Sequence, residues 1–309
     1  MSITIVGAGI SGLIAANLLK HRDPVVVEAQ DKLPNNHSAV LRFRTSVVGD
    51  ALGIPFRKVS VIKAVAGWRN PVADALAYSR KSGGIMLSNR SVNFASGFEV
   101  AERFIAPPDL IERMAERVDV RCGIRFDFSA GPKFISTIPM PDLMGALKYD
   151  HQLQFLWTPG VNVRARVDSC DAYVSLYVPD PDLPFSRVSL TGDELIVECP
   201  NNDYFPGKTF ENEIAVDAAN LLGIDPSSVH SIETVRQQYA KINPVDEGER
   251  RRFIYHASTE TGRAFSLGRF ATWRPGLLAD DLVNDVRVID GMIGSRSSQY
   301  DAEKRERVK

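Results

Sequence analysis

The chain has 309 residues, is 44% hydrophobic and 24% charged, and carries a net charge of -1. Those values exclude a disordered, fibrous or wholly basic protein and leave enough chain for one large or two modest domains. Cys122, Cys170 and Cys199 form no C-x-x-C pair, and no His/Cys cluster has ligand spacing, so a reduced, cytoplasmic protein without a structural metal is expected.

Residues 3–19, ITIVGAGISGLIAANLL, come first and are mostly apolar. A signal peptide or membrane span needs a basic flank and an unbroken apolar run, whereas no Lys or Arg precedes this stretch and Gly7, Gly9, Ser11 and Gly12 interrupt it. No membrane association is expected. The spacing predicts a strand over 3–6, a glycine turn and a helix from about Ile10, which is G-x-G-x-x-G in its required context. Gly7 permits the turn, Gly9 admits a pyrophosphate, and Gly12 lets helix and strand pack closely. The backbone from Gly7 through Ala8, Gly9, Ser11 and Gly12 is then a dinucleotide cradle, with the helix N-terminus attracting the phosphates. A second strand, PVVVEA, ends in Glu28, about where a ribose would present its hydroxyls.

Residues 40–90 hold Arg42, Arg44, Arg57, Lys58, Lys63, Arg69, Arg80, Lys81 and Arg90 against Asp50 and Asp74, a surplus of seven positive charges. Such a field either awaits an anion or pairs with acids elsewhere. NPVADALAYSRKSGG predicts a helix ending near Lys81, capped by Gly83 or Gly84, with Arg80 and Lys81 complementing its dipole. Tyr78, Arg80 and Lys81 are candidates for an anion-binding rim.

Further on, HQLQFLW, a TPG turn and VNVRARV predict a hairpin with Val161, Val163, Ala165 and Val167 on one face and Asn162, Arg164 and Arg166 on the other. DAYVSLYV and SRVSLTGDELIVEC extend the sheet, the latter folding over TGD. Gln152, Gln154, Arg164 and Arg166 face either a ligand or water. The histidines are scattered; His37 is a turn residue or reaches a cofactor. The tail DAEKRERVK reads as a solvated helix end.

The glycine motif alone does not separate FAD from NAD. Near the other end stands AFSLGRFATWRPGLLADDLVNDV, residues 264–286, with a strand into Gly268 and Arg269 and a helix opening near Ala279, Asp280 and Asp281. With GAGISGLIAA and Glu28, this segment resembles the FAD-dependent amine oxidase and UDP-galactopyranose mutase superfamily. KFISTIPMPDLMGAL looks like its strand rejoining the flavin domain, and PFSRVS like an arginine-bearing substrate strand. The sequence departs from that pattern after Glu28, where DKLPNNHSAVLRFR replaces a basic glycine pair.

The resemblance implies FAD as cofactor. It implies an α/β fold: a Rossmann-like FAD-binding domain (1–50, 105–147 and 214–309) interleaved with a substrate domain (51–104 and 148–213) containing an antiparallel sheet. Gly268, Arg269, Asp280 and Asp281 would join the cofactor site, and Arg187 the substrate site. Lys241, where many amine oxidases hold a water-binding lysine, and Trp273 are the catalytic candidates; Trp273 and Tyr255 either wall the site or pack the core. Three activities remain open. One is amine-oxidase-like oxidation of a carbon–nitrogen bond on an anionic substrate. Overall size and YSRKSGG also resemble, more faintly, short phage FAD lyases of thymine hypermodification, whose substrate is a glycyl-modified thymine in DNA and whose product is an aminomethyl base. The second is isomerisation of a nucleotide sugar, with Tyr173, Tyr177 and Arg187 as candidates. The third is a non-catalytic flavin-bound scaffold. Partners are accordingly a nucleic acid or a nucleotide sugar.

Overall fold

The structure is a computed structural model describing residues 2–33, 41–67, 70–83, 97–129, 132–200 and 208–293. His37, Arg69, Gly84, Arg90 and the DAEKRERVK tail lie outside the described residues.

The first module is a parallel sheet. Its strands are β1 (Thr4–Val6), β2 (Val25–Val27), β6 (Asp119–Arg121), β7 (Phe134–Ser136) and β13 (Ala264–Ser266), in the order β13-β7-β1-β2-β6. All four pairings are parallel. β1, β2 and β7 are buried and are largely runs of Val, Ile and Phe rather than alternating patterns, whereas the edge strand β6 exposes Asp119 and Arg121. One face packs on α1 (Ile10–Leu18), α2 (Val47–Leu52), α4 (Leu110–Ala115) and a helix over 282–293, through Leu13, Leu52, Met114 and Val286. The other face receives α5 (Met140–Ala146) and α7 (Glu247–Tyr255), with Phe134, Leu143, Phe253 and Trp273 in its core.

The second module is an eight-stranded, mainly antiparallel sheet. Its members are β3 (Arg42–Phe43), β4 (Arg57–Val65), β5 (Phe98–Ile105), β8 (Trp157–Val167), β9 (Ala172–Tyr177), β10 (Arg187–Gly192), β11 (Glu194–Pro200) and β12 (Val229–Ile242). They run β12-β8-β11-β10-β9-β4-β5-β3, with β4 and β9 parallel. The apolar face, with Val163, Ala165, Val188, Leu190 and Val197, is covered by Ile214, Ala215 and Ala218 of α6 (Lys208–Leu221). The opposite face is polar. Register places Lys63, Tyr173, Ser175, Tyr177, Arg187, Ser189, Thr191, Glu194, Glu198, Asn162, Arg164 and Arg166 along it. That face is concave. β3 stands three strands from β9, roughly 14 Å in a flat sheet, yet the Arg42 side chain hydrogen bonds to Ser175 of β9 and Thr191 of β10. Only a curled sheet permits that reach.

Three expectations change here. HQLQFLW and VNVRARV are not a hairpin: Thr158, Pro159 and Gly160 continue β8, and Gly160 pairs with both Pro200 and Gln237, so there is no turn. Pro159 is accommodated beside the register shift between Gln237 and Lys241, where the ladder to β12 is interrupted. Gln152 and Gln154 are exposed and outside any strand. Residues 214–242, expected in the nucleotide domain, instead form most of α6 and β12, both built onto the second sheet. The predicted alternation of Val161, Val163, Ala165 and Val167 against Arg164 and Arg166 is observed. So are the fold over TGD, with Gly192 at φ +66 as the first turn residue, and α3 (Pro71–Gly83).

Candidate functional site

The carboxyl ends of β1, β2, β7 and β13 meet around the start of α1, where open parallel sheets bind ligands. Gly7 has φ +102, and a Cβ there would stand 2.3 Å from Thr137 Oγ1; a Cβ on Gly12 would stand 2.0 Å from the Gly7 carbonyl oxygen. Gly9 differs: no atom lies within 4 Å of its would-be Cβ. Two glycines therefore close the turn and the third leaves its outer side open. Gly9 is also the N-cap of α1, and no side chain caps this helix. Its first N–H groups and dipole are suited to an anion such as a phosphate.

Glu28 follows β2 and faces the same turn. Its Oε2 accepts from Ala8 N at 2.9 Å and its Oε1 from Gln30 N at 3.0 Å. A carboxylate has about four lone-pair sites, so capacity remains for hydroxyl donors. Gly268, at φ +95 just beyond β13, presses against Ser11, whose Oγ would lie 2.6 Å from a Cβ at 268. Thus Gly7, Ala8, Gly9, Ser11, Gly12, Glu28 and Gly268 converge. Arg269 is half-buried, with its guanidinium 5.7 Å from the Phe270 ring centroid.

Asp280 and Asp281 open the turn before the 282–293 helix, as the sequence predicts, and both carboxylates have protein partners. Asp280 accepts from Thr45 N and Thr45 Oγ1, each at 2.8 Å, and from Arg44 N at 3.2 Å. Asp281 accepts from Leu278 N. Asp280 thereby fixes the segment after β3, while Arg42 on β3 reaches the concave sheet; residues 42–45 link the nucleotide module to the polar face.

On that face, Tyr177 and Arg187 are direct register partners, and Tyr173 lies four residues away along β9, opposite Thr191. Arg187 forms an ion pair with Glu198. Burial opposes its charge, but Glu198 and the Tyr78 and Tyr177 hydroxyls hold its pKa above the ordinary arginine value. Tyr78 of α3 is buried edge-on against Tyr177, ring centroids 5.4 Å apart. Lys81 donates to the carbonyls of Val178 and Asp180, and burial pushes its pKa down to about 8. Tyr78 and Lys81 thus join the Arg187 end of the sheet, whereas Arg80, two residues from Tyr78 and about 200° around the helix, is exposed.

Three cations of the basic run of residues 40–90 are paired: Arg57 with Asp171, Lys58 with Glu102, and Lys63 with Glu99. The reading in which these cations meet acids elsewhere holds for those three. Lys241 lies at the end of β12 opposite Thr158. Trp273 is 1% exposed, donates from Nε1 to the Asn243 carbonyl at 2.8 Å and packs edge-on against Phe155, so it is a core residue. Tyr255 is 57% exposed on α7 and borders a surface groove with Ile254, Phe265 and Val288. Sequence reasoning missed Arg42 as more than part of a basic run; nothing local in RFR reveals the curl of the sheet it crosses.

A cleft of about 890 Å³ adjoins the far end of the concave face, bordered by Arg57, Arg164, Arg166, Asp171, Tyr173 and His230. Its cations are paired with Asp171, Glu194 and Asp193. No helix among the described residues is long and apolar enough to cross a membrane.

No family model matches the sequence. No curated protein matches it either. Solved structures do match in fold. Reduced UDP-galactopyranose mutase has 14% identity and a TM-score of 0.67 over 95% of this chain and 94% of its own. A geranylgeranyl bacteriochlorophyll reductase-like protein from Thermoplasma acidophilum has 11% identity and a TM-score of 0.55, over 99% and 83%. Glycerol-3-phosphate dehydrogenase from Bacillus halodurans, complexed with FAD, has 11% identity and a TM-score of 0.56, over 96% and 65%. These likenesses show a shared fold over nearly the whole of this chain.

Proposed function

We propose that this protein is an FAD-dependent enzyme that oxidises a carbon–nitrogen bond on an anionic substrate. The observation that carries the cofactor is the open outer side of Gly9 at an uncapped helix N-terminus, with Glu28 beside it. These residues fit a dinucleotide: Gly7, Ala8, Gly9, Ser11 and Gly12 would hold the pyrophosphate and Glu28 the ribose. Gly268, Arg269 and the turn at Asp280 and Asp281 would border the flavin end. When bound, FAD supplies the acceptor for hydride removal from the carbon bearing nitrogen. The chain's own part is to orient the amine on the concave sheet, where Arg187 and Tyr78 are the candidate contacts, and to exclude water until the imine is released for hydrolysis. Lys241 is the candidate for positioning that water.

The finer substrate, a glycyl-modified thymine in phage DNA giving an aminomethyl base, is supported by overall size and by YSRKSGG. Binding of DNA through several phosphates would weaken steeply with salt, whereas binding of a small nucleotide sugar would depend on it less. A second reading, isomerisation of a nucleotide sugar by reduced flavin, is favoured by Tyr173, Tyr177 and Arg187 sharing one face. Anaerobic mixing separates the two. An oxidised holoprotein that loses its visible flavin absorbance on meeting an amine substrate supports oxidation. One that needs prior reduction for turnover supports isomerisation. A protein that takes up no FAD overturns both.

A further inference from the structure

The concave face carries a charge that the described protein atoms do not balance. Arg42 donates from Nε to Thr191 Oγ1 at 2.8 Å, from Nη1 to Ser175 Oγ at 2.8 Å, and from Nη2 to the carbonyls of Val174 and Leu190. All four acceptors are neutral, and among the described residues no carboxylate lies within ion-pair distance of Arg42. Arg42 is half-buried, and a partly desolvated guanidinium without a counter-ion is costly. Burial, followed by the neighbouring Arg187, pushes its pKa down to about 10.

Next to it, two donors are unused. Ser189 is 1% exposed, and its hydroxyl has no hydrogen-bond partner among the described residues; neither has Arg187 Nε, which is buried. Ser189 is the register partner of Ser175, so the hydroxyl Arg42 holds and the one left over belong to side chains about 5 Å apart. Arg187 lies two residues along β10 on the same face. Glu198 offsets Arg187, and Arg103 of β5 adds a further positive charge near Arg42. The local balance is positive.

We propose that Arg42, Arg187 and Ser189 form an oxyanion subsite that takes the carboxylate or phosphoryl group of the substrate. This rests on the reading of the concave face as the substrate side, and it names the ligand chemistry there. Ser189 Oγ and Arg187 Nε donate to the anion, while Arg42, locked by its four acceptors, supplies fixed positive charge.

The test is calorimetric titration of the protein, loaded with FAD, using inorganic phosphate and, separately, acetate. One saturable site is expected, with tighter acetate marking a carboxylate subsite and tighter phosphate a phosphoryl one. Ser189→Ala removes a hydroxyl that holds nothing else and should weaken binding about 10-fold or more, a hydrogen bond to a charged group. Arg187→Lys keeps the pair with Glu198 but loses Nε and should weaken it similarly. Absence of saturable binding, or affinity unchanged in both variants, overturns the subsite. Flavin absorbance of the same samples separates the two proposals. A yellow protein without oxyanion binding refutes the subsite alone; a colourless one with Ser189-dependent binding refutes the flavin reading alone.

Discussion

Gly9 and Gly12 stand three residues apart in one motif, yet the structure assigns them opposite sensitivities. A methyl at residue 12 would sit 2.0 Å from the Gly7 carbonyl oxygen, so the turn or the helix must move by about 1 Å to restore even a tight contact. Forced repacking of that kind costs about 1–3 kcal/mol, which for a chain of this size lowers Tm by roughly 2–5 °C. A methyl at residue 9 meets nothing within 4 Å, and the local backbone, φ -70 and ψ 177, suits any residue. Gly9→Ala should therefore cost under about 1 kcal/mol, the difference between Gly and Ala as a helix N-cap. It nonetheless occupies the side from which a pyrophosphate must approach, and FAD affinity should fall at least about 10-fold. Urea melts of the apoproteins and fluorescence titration with FAD measure the two effects separately. Equal destabilisation by both substitutions, or wild-type FAD affinity in Gly9→Ala, would refute the assignment of that open side to the cofactor.

Other substitutions test the supporting structure. Asp280→Ala removes the acceptor for Arg44 N and Thr45 N and should cost about 1–2 kcal/mol, visible as a lower urea midpoint and weaker FAD retention. Trp273→Phe keeps most of the ring packing but leaves the buried Asn243 carbonyl without its indole donor; a loss of about 1–3 kcal/mol in denaturant melts is expected, with the absorbance of any bound flavin unchanged. Lys81 has a folded-state pKa of about 8, below its unfolded value, so the unfolded chain binds more protons between them and stability should rise as pH climbs from about 8 towards 10.5. Lys81→Met should flatten that slope in pH-dependent melts. Glu247 has the reverse sense: hydrogen bonds from Arg250 and then Arg251 hold its carboxyl down to about 2, so its contribution is present above pH 4.5 and lost as pH falls towards 2. Glu247→Gln should reduce the acid sensitivity of melts over that range.

The nucleotide end of the molecule was legible because its determinants are local. Gly7, Gly9 and Gly12 must occupy fixed places in one turn, and Glu28 ends the next strand, so four residues within 22 positions specify the geometry. Gly268 could be placed by its glycine turn, though its contact with Ser11 is long-range. The second module was legible in its alternation, which told Val163 from Arg164, but not in its connections. TPG has the composition of a turn, and only pairing on both sides of Gly160 shows that it continues a strand. Arg42 is the extreme case. Its role depends on a curl spanning strands drawn from residues 42 to 242, and no short window contains that information. The basic run misled for a related reason, since Asp171, Glu102 and Glu99, which pair with Arg57, Lys58 and Lys63, lie outside the run.

The position of β13 bears on how the chain is made. β7 pairs with β1 on one side and β13 on the other, and its three residues are buried. Between β7 and β13, some 130 residues of chain build most of the other sheet. A growing polypeptide therefore carries an unfilled edge on β7 until Ala264–Ser266 emerge, after which a single short strand closes it. Long-range closure of this kind slows folding and leaves an adhesive edge exposed in the interval. N-terminal fragments ending before residue 264 should consequently be expressed as aggregates, and synthesis in cells would depend on chaperones that shield the β7 edge until the last strand arrives.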